Sequence, residues 1–148
     1  MLDNQHKNIA TFIHLSTFSR FLIPLGNYIG PIVLWMVNKD KSEFINAHGK
    51  QAINFQISIL LYTLIIGTIS IPFFIFKVFN GLDFIDFNGF HDFHIDIGEP
   101  SPLLYITGGL GILAIIGFIL ELVFIVIASL KARDGELYEY PLTIKFLK

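Results

Sequence analysis

Two long stretches of this chain are nearly free of charged side chains, and they define its pattern of hydrophobic and polar positions. Residues 51–76 carry no charge, and residues 101–130 carry only Glu121. An apolar run of about 18 residues or more predicts a bilayer-spanning helix, because a helix bonds its backbone polar groups internally. We therefore predict two transmembrane helices, over residues 51–76 and 102–130.

A third apolar stretch, residues 9–37, contains residues at its centre that disfavour a helix. They are Pro24, Gly26, Gly30 and Pro31. Proline removes a backbone donor and glycine adds conformational freedom, so a straight helix is not expected. Two interpretations remain open. Either one kinked helix crosses the bilayer, or two short helices, over residues 9–23 and 27–37, form a re-entrant hairpin whose arms of roughly 15–22 Å are too short to span.

The predicted fold is an all-α integral membrane protein with a single domain over residues 1–148. The connector at 38–50 holds three lysines and the tail at 131–148 holds four basic residues, whereas the loop at 77–100 has five acids and one lysine. Basic residues concentrate on the cytoplasmic side of membrane proteins. We expect the connector and the tail in the cytoplasm and the acidic loop outside the inner membrane. Alternating apolar and polar residues in that loop predict short strands that turn near Asn88-Gly89.

Composition supports this class and argues against others. Hydrophobic residues make up 53% of the chain and charged residues 15%, against about 25% charged in an ordinary soluble domain. Without cysteine the chain has no disulfide framework and no zinc–thiolate site. A net charge of −2 argues against nucleic-acid binding. Since we find no nucleophile–base pair and no phosphate-binding glycine loop, we predict neither an enzyme nor a bound cofactor.

Arg20 and Glu121 are the only charged residues inside the apolar segments. Because an unpaired charge in lipid is costly, we predict that they pair. Their depths agree best when residues 9–37 form the hairpin, since both then lie about 14–16 Å from the cytoplasmic face, and this favours a cytoplasmic N-terminus. The pair is either a structural salt bridge or a site that handles protons or ions. Gly111 and Gly117 share a helix face with Glu121, so we expect that face in an interface, which we take to be internal.

Further polar side chains recur on the first apolar segments and at the entry to the second helix. They are His14, Thr17, Asn27, His48, Gln51 and Asn54. Either they line a hydrated cavity, or they form hydrogen bonds between helices. In the acidic loop, His91, His94 and Asp96 are metal-capable by type, but alternation sends neighbours to opposite faces of a strand, so we predict no metal site.

Three stretches of the sequence carry a resemblance to a bacterial family. They are PLGNYIGPIVLWMV at 24–37, HGKQAINFQIS at 48–58 and KARDGELYEYPLTIKFLK at 131–148. On these residues the chain is similar to the small membrane proteins grouped as domain of unknown function 4870, which are remotely similar to the membrane subunit of the chloroplast inner-envelope protein import translocon. The resemblance implies four helical segments and a translocon-like role, and it assigns no catalytic residue.

The leading hypothesis for function is a non-enzymatic accessory or translocon-like subunit of a larger complex in the bacterial inner membrane. Its partners would be the lipid bilayer and either another protein or further copies of this chain. The alternative is a small oligomeric channel or carrier that uses the Arg20–Glu121 pair.

Overall fold

The computed structural model describes residues 3–80, 85–87, 93–95 and 102–148, with side chains for residues 3–72, 75, 105 and 108–148. The described residues form four α-helices, α1 (Asn4–Leu15), α2 (Gly26–Asn38), α3 (Glu43–Asn80) and α4 (Pro102–Asp134). Two 3₁₀ segments, Ser16–Phe21 and Lys39–Lys41, follow α1 and α2, and two short strands, β1 (Ile85–Phe87) and β2 (Phe93–Ile95), lie between α3 and α4.

Helix α1 begins at a side-chain cap and ends where hydroxyl groups compete for its carbonyls. Asp3 accepts a hydrogen bond from the backbone amide of Gln5 at 3.2 Å, which satisfies one of the free donors of the first turn. At the other end, the hydroxyls of Ser16 and Thr17 donate to carbonyls three residues earlier, at 2.6 and 2.7 Å. The chain tightens there into the 3₁₀ segment, a common way for an α-helix to end.

The chain reverses direction between this 3₁₀ segment and α2. Leu25 adopts a left-handed conformation with φ of 60°, just before the first residue of α2. A Cβ on Gly26 would lie 2.4 Å from the carbonyl oxygen of Ser19, and one on Gly30 would lie 2.6 Å from that of Ser16. Only glycine allows the two arms to approach this closely. Of the two interpretations, the structure therefore has two short helices that fold back on each other; insertion of this hairpin into a bilayer stays a prediction.

The expected interruption of the first apolar stretch is narrower than predicted. Pro24 lies in the turn and Gly26 is the first residue of α2, but Gly30 and Pro31 lie inside α2 and do not end it. Pro31 is buried and forgoes only one hydrogen bond in the second turn of the helix. The close packing of Gly30 on the 3₁₀ segment stabilises the helix through this point.

Both long helices extend further toward the connector and the tail than expected. Helix α3 begins at Glu43 rather than residue 51, because the hydroxyl of Ser42 caps it by accepting a hydrogen bond from the amide of Ile45 at 3.2 Å. Helix α4 continues to Asp134, where Gly135 takes a φ of 85°. Two spans, Glu43–Pro72 and Gly108–Asp134, are long and apolar enough to cross a membrane. The prediction of a helical chain with two long apolar helices is confirmed.

The chain divides into two compact units. The first, Met1–Tyr62 with Ile119–Lys148, has a core with two clusters, one around Phe55 and Ile125 and one around Ile13 and Ile45. This unit holds the hydrogen-bonded polar side chains of the candidate site.

The second unit is Thr63–Phe118. Within it, β1 and β2 pair antiparallel, with Ile85 opposite Ile95 and Phe87 opposite Phe93; the expected turn at Asn88-Gly89 lies outside the described residues. A Cβ on Gly111 or Gly117 would meet no other described atom within 4 Å. No described atom therefore forms the expected internal interface at these two glycines, whereas Glu121 is buried against Arg20 and Gln56.

Candidate functional site

A charged pair lies at the centre of the first unit. Arg20, in the 3₁₀ segment, donates from Nη1 to Oε2 of Glu121 at 3.0 Å and from Nη2 to Oε1 of the same carboxylate. The Glu121 side chain is 5% exposed and that of Arg20 is 19% exposed. Two parallel, charge-assisted bonds give this contact both strength and a defined orientation. The pair joins the N-terminal hairpin directly to α4.

Two amide side chains extend the hydrogen bonding around the pair. The carbonyl oxygen of Gln56 accepts hydrogen bonds from Arg20 at 3.2 Å and from Asn27 at 2.8 Å, and its amide nitrogen donates to Glu121 at 3.3 Å. We call these four residues the Arg20 network. It joins the 3₁₀ segment, α2, α3 and α4. A buried ion pair needs such additional bonds, because burial removes both charges from water.

A second set of buried hydrogen bonds runs from the tail to α3. Tyr140 Oη lies 2.8 Å from Nδ1 of His14, and Nε2 of His14 lies 2.8 Å from Nδ1 of His48. We call these three residues the histidine chain. The Tyr140 ring also stacks on Phe55, with the ring centroids 4.1 Å apart. The far nitrogen of His48, Nε2, is buried beside the backbone of Glu136 without a hydrogen bond of normal geometry.

Burial also changes the acidity of the tyrosine in this chain. Removal from water raises the pKa of Tyr140 well above its ordinary value of 10, and the neighbouring Tyr138 and Glu121 raise it further. The hydroxyl therefore keeps its proton at any physiological pH, and it can donate to the imidazole of His14.

Three side chains of α3 hold the end of the tail by its backbone. Asn54 donates to the carbonyl of Leu147 at 3.0 Å and accepts from its amide at 2.8 Å. Ser58 accepts from the amide of Ile144 at 2.9 Å. Tyr62 donates to the carbonyl of residue 142 at 2.7 Å. We call Asn54, Ser58 and Tyr62 the tail clamp; it lies on one side of α3, at intervals of four residues, and the tail runs antiparallel to the helix.

The remaining predicted polar residues have local roles. Thr17 is buried and bonds within its own segment, to the carbonyl of His14. The side chain of Gln51 is half-buried and has no hydrogen bond to another described residue. The polar side chains of the first unit thus mostly bond one another and the tail, which favours the interpretation of hydrogen bonding between helices over that of a hydrated cavity.

The metal-capable residues of the acidic loop are not tested by the structure. His91 and Asp96 lie outside the described residues, and the side chain of His94, in β2, is not described. Among the described residues, no group of three or more His, Asp or Glu side chains is arranged to hold a metal ion.

Sequence reasoning omitted three residues of the site: Ser58, Tyr62 and Tyr140. Ser58 and Tyr62 continue a series of polar residues that begins at His48, and this recurrence on an apolar helix was a usable signal. Tyr140 had no comparable signal, because the sequence of the tail does not show which of its side chains are buried.

Comparison with known proteins identifies the family. Residues 5–147 match the family model of the magnetosome magnetite crystal formation proteins, MamF/MmsF, and the chain belongs to this family. No curated protein and no solved structure matches the chain.

The resemblance to domain of unknown function 4870 and to the chloroplast translocon subunit is therefore wrong as a family assignment. The stretches that carry it serve packing in this fold. Gly26 and Gly30 allow the hairpin to close, and Asn54 and Gln56 bond between segments. Small and polar residues perform these tasks in many helical membrane proteins, so they discriminate poorly between families.

Proposed function

We propose that this protein is a non-enzymatic, multi-pass protein of the magnetosome membrane that acts in the formation of magnetite crystals. The observation that carries the proposal is the family match over residues 5–147, nearly the whole chain. The distribution of polar and apolar side chains supports the membrane part of the proposal, and the charge of the loop at 77–100 supports the part that concerns the mineral.

In the second unit, apolar side chains of both long helices point outward on consecutive positions. The exposed residues include Leu64, Ile65, Ile66, Ile69, Ile71, Ile112, Leu113, Ile115 and Ile116. Consecutive exposed positions lie about 100° apart around a helix, so no polar face remains for water. The first unit, in contrast, buries a set of polar side chains, those of the Arg20 network and the histidine chain. This polarity is the reverse of that of a water-soluble helical protein and suits a lipid environment.

The arrangement of charges supports a topology. Lys39 and Lys41 precede α3, and the tail, with its four basic residues, is held along the first part of α3 by the tail clamp. We place these basic segments together on the cytoplasmic side, as the distribution of lysine and arginine in membrane proteins favours. The loop at 77–100 then lies on the opposite side of the membrane.

The loop at 77–100 contains side chains of types that can bind iron ions or an iron oxide surface. It contains five carboxylates, two histidines and one lysine. Carboxylate oxygens and imidazole nitrogens bind iron ions, and a run of carboxylates concentrates cations near a surface. We propose that the loop is the part of the chain that contacts the mineral or its iron precursors.

The test replaces charge in the native host without changing the fold. A variant in which Asp83, Asp86, Asp92, Asp96 and Glu99 become Asn or Gln is compared with a control in which Asp3, Asp40, Asp134, Glu136 and Glu139 are changed likewise. Both variants lose five negative charges, but only the first loses them from the loop. We expect smaller magnetite crystals, measured by electron microscopy, in the first strain alone. Equal crystal sizes in both strains, at equal protein levels, would contradict the proposal.

Within this function, the Arg20 network holds the hairpin against α3 and α4. The terminal nitrogens Nη1 and Nη2 of Arg20 both donate to Glu121, and Gln56 bonds to both residues. We therefore assign the pair a structural role. That the protein is a channel or carrier that uses this pair is still a prediction from the sequence alone. The same holds for assembly with further copies of the chain or with another protein.

A further inference from the structure

We propose that the N-terminal hairpin inserts into the cytoplasmic leaflet alone, and that the protein consequently prefers membranes whose cytoplasmic face is convex. The partner is a curved lipid surface. This inference rests on the membrane topology of the proposed function but not on its role in mineral formation.

The outer surface of the hairpin is apolar from the turn to the far end of α2. Phe21, Leu22, Ile23 and Leu25 are exposed in the turn, and Leu22 is 85% exposed. Along α2, Ile29, Val33, Met36 and Val37 are exposed as well. Four polar side chains of the hairpin, those of His14, Thr17, Arg20 and Asn27, face the interior of the first unit. A contiguous apolar surface of this kind on an otherwise hydrogen-bonded hairpin fits lipid acyl chains.

The other end of the hairpin is charged. Asp3 and Lys7 lie at the start of α1, and the segment that follows α2 is Lys39-Asp40-Lys41. Trp35 lies one turn before that segment, with the amine of Lys39 5.6 Å from the centre of its ring. Its indole nitrogen donates to Asn46 at 3.1 Å. Tryptophan with a polar partner on one side and apolar neighbours on the other is typical of the membrane–water interface.

The length of the hairpin sets its depth. From Trp35 at the interface to Leu25 in the turn, α2 rises about 15 Å at 1.5 Å per residue. The hydrocarbon core of a bilayer is about 30 Å thick, so the turn reaches about its midplane. The hairpin then adds the cross-section of two helices, each about 10 Å wide, to one leaflet and nothing to the other. Helices α3 and α4, which we propose to cross both leaflets, add no such difference.

Unequal area in the two leaflets costs less on a curved surface. A bilayer that is convex on the side of the hairpin already has wider spacing between headgroups there, and one-sided insertion of apolar helices is sensitive to curvature for this reason. The protein should therefore be denser on small vesicles than on large ones when the hairpin is in the outer leaflet. With the hairpin in the inner leaflet, the preference should be reversed.

The absence of cysteine from the chain allows a direct test. The full-length variants Asn4→Cys and Asn88→Cys are each reconstituted into vesicles of phosphatidylcholine and phosphatidylglycerol with a wide range of diameters. A membrane-impermeant maleimide dye then labels only cysteines on the outside. Dye on N4C marks molecules with the hairpin in the outer leaflet, and dye on N88C marks the opposite orientation. Protein density per membrane area is measured on single vesicles.

We expect the density of labelled N4C to be about twofold or more higher on vesicles of about 50 nm than on vesicles of about 400 nm, and that of labelled N88C to be lower on the small ones. Equal densities on all sizes for both variants would overturn the inference. The topology is read separately, from the labelled fractions. In the proposed topology residues 4 and 88 lie on opposite sides of the membrane, so the labelled fractions of N4C and N88C should add up to about one. A different sum would contradict the topology rather than the curvature preference.

A matched pair of substitutions assigns the effect to the hairpin. Leu22 and Leu142 are 85% and 84% exposed, so Leu22→Asn and Leu142→Asn both leave the core intact. Only the first places a polar group at the turn that we propose to reach the midplane. We expect L22N to lose most of the size dependence of N4C and L142N to keep it. An equal effect of the two substitutions would overturn the assignment to the hairpin.

Discussion

The carboxylate of Glu121 accepts hydrogen bonds from both terminal nitrogens of Arg20, which lies 101 residues earlier in the chain. These two side chains carry opposite charges in a largely buried setting. The ion pair between them offsets much of the free-energy cost of removing both charges from water. The stability of the first unit should therefore depend on keeping both or neither.

Replacing Glu121 by Ala leaves the guanidinium of Arg20 without its counter-charge. We expect a loss of about 3–5 kcal/mol in the free energy of unfolding, as for other broken buried pairs. Denaturant unfolding of the purified protein in detergent, followed by circular dichroism, measures it. The double variant Arg20→Met, Glu121→Leu removes both charges and should recover most of the loss. If the double variant is as unstable as E121A, unpaired charge is not the cause.

Gly26→Ala should disrupt the hairpin, because its Cβ would lie 2.4 Å from a backbone oxygen that cannot move without the whole arm. We expect a destabilisation of about 1–3 kcal/mol, typical of overpacking. Gly117→Ala is the matched control, since nothing described lies within 4 Å of that position. It should be neutral or raise stability by up to about 1 kcal/mol through better helix propensity. Similar thermal unfolding of the two variants would contradict the close approach at Gly26.

Stability should fall at alkaline pH through Tyr140. Folding raises the pKa of its hydroxyl above 10, so the folded state holds the proton more tightly than the unfolded state. The stabilisation is present in full below pH 10 and is lost as pH rises through the higher pKa of the folded state. Comparing wild type with Tyr140→Phe isolates this tyrosine from the others. We expect the unfolding free energy of wild type to decline more steeply between pH 9 and pH 11; parallel curves would exclude Tyr140 as the cause.

Asn54→Ala should release the end of the tail. The substitution removes both hydrogen bonds to Leu147, worth about 1 kcal/mol each in typical cases. Trimming by carboxypeptidase, measured by mass spectrometry in detergent, should become about tenfold faster or more as the tail detaches more often. Gln51→Ala is the control, because the side chain of Gln51 is half-buried on the same helix and has no hydrogen bond to another described residue. Equal trimming of the two variants would mean that the clamp does not hold the tail.

The long helices and the charged pair could be inferred from sequence for the same physical reason. Lipid-compatible segments exclude charge, so the charge-free runs stand out, and the charges that remain, Arg20 and Glu121, have few possible partners. The beginning of α3 was harder to place, because Ser42 caps a helix whose first turns are polar and resemble a connector. Apolar composition alone therefore misplaces the end of a helix that continues into a polar segment.

The rest of the site depends on where the tail lies. Tyr140 is separated from His14 by 126 residues, and the alternation of Leu142, Ile144 and Phe146 in the tail does not identify the helix that the tail contacts. The tail clamp contacts only backbone atoms of residues 142–147, so it cannot be inferred from the residue types of the tail. The family assignment failed in a similar way, since packing glycines and amides recur across unrelated helical families.

The distance in sequence between Arg20 and Glu121 also has a consequence for biosynthesis. Chains are made from the N-terminus at roughly 5–20 residues per second, so Arg20 exists for about 5–20 s before its carboxylate partner is made. Gln56 is made 36 residues after Arg20 and bonds to it in the finished fold. It is the earlier of the two partners to be translated. The Arg20 network is therefore completed only after residue 121 has been translated, although every residue of the hairpin is made before Gln56.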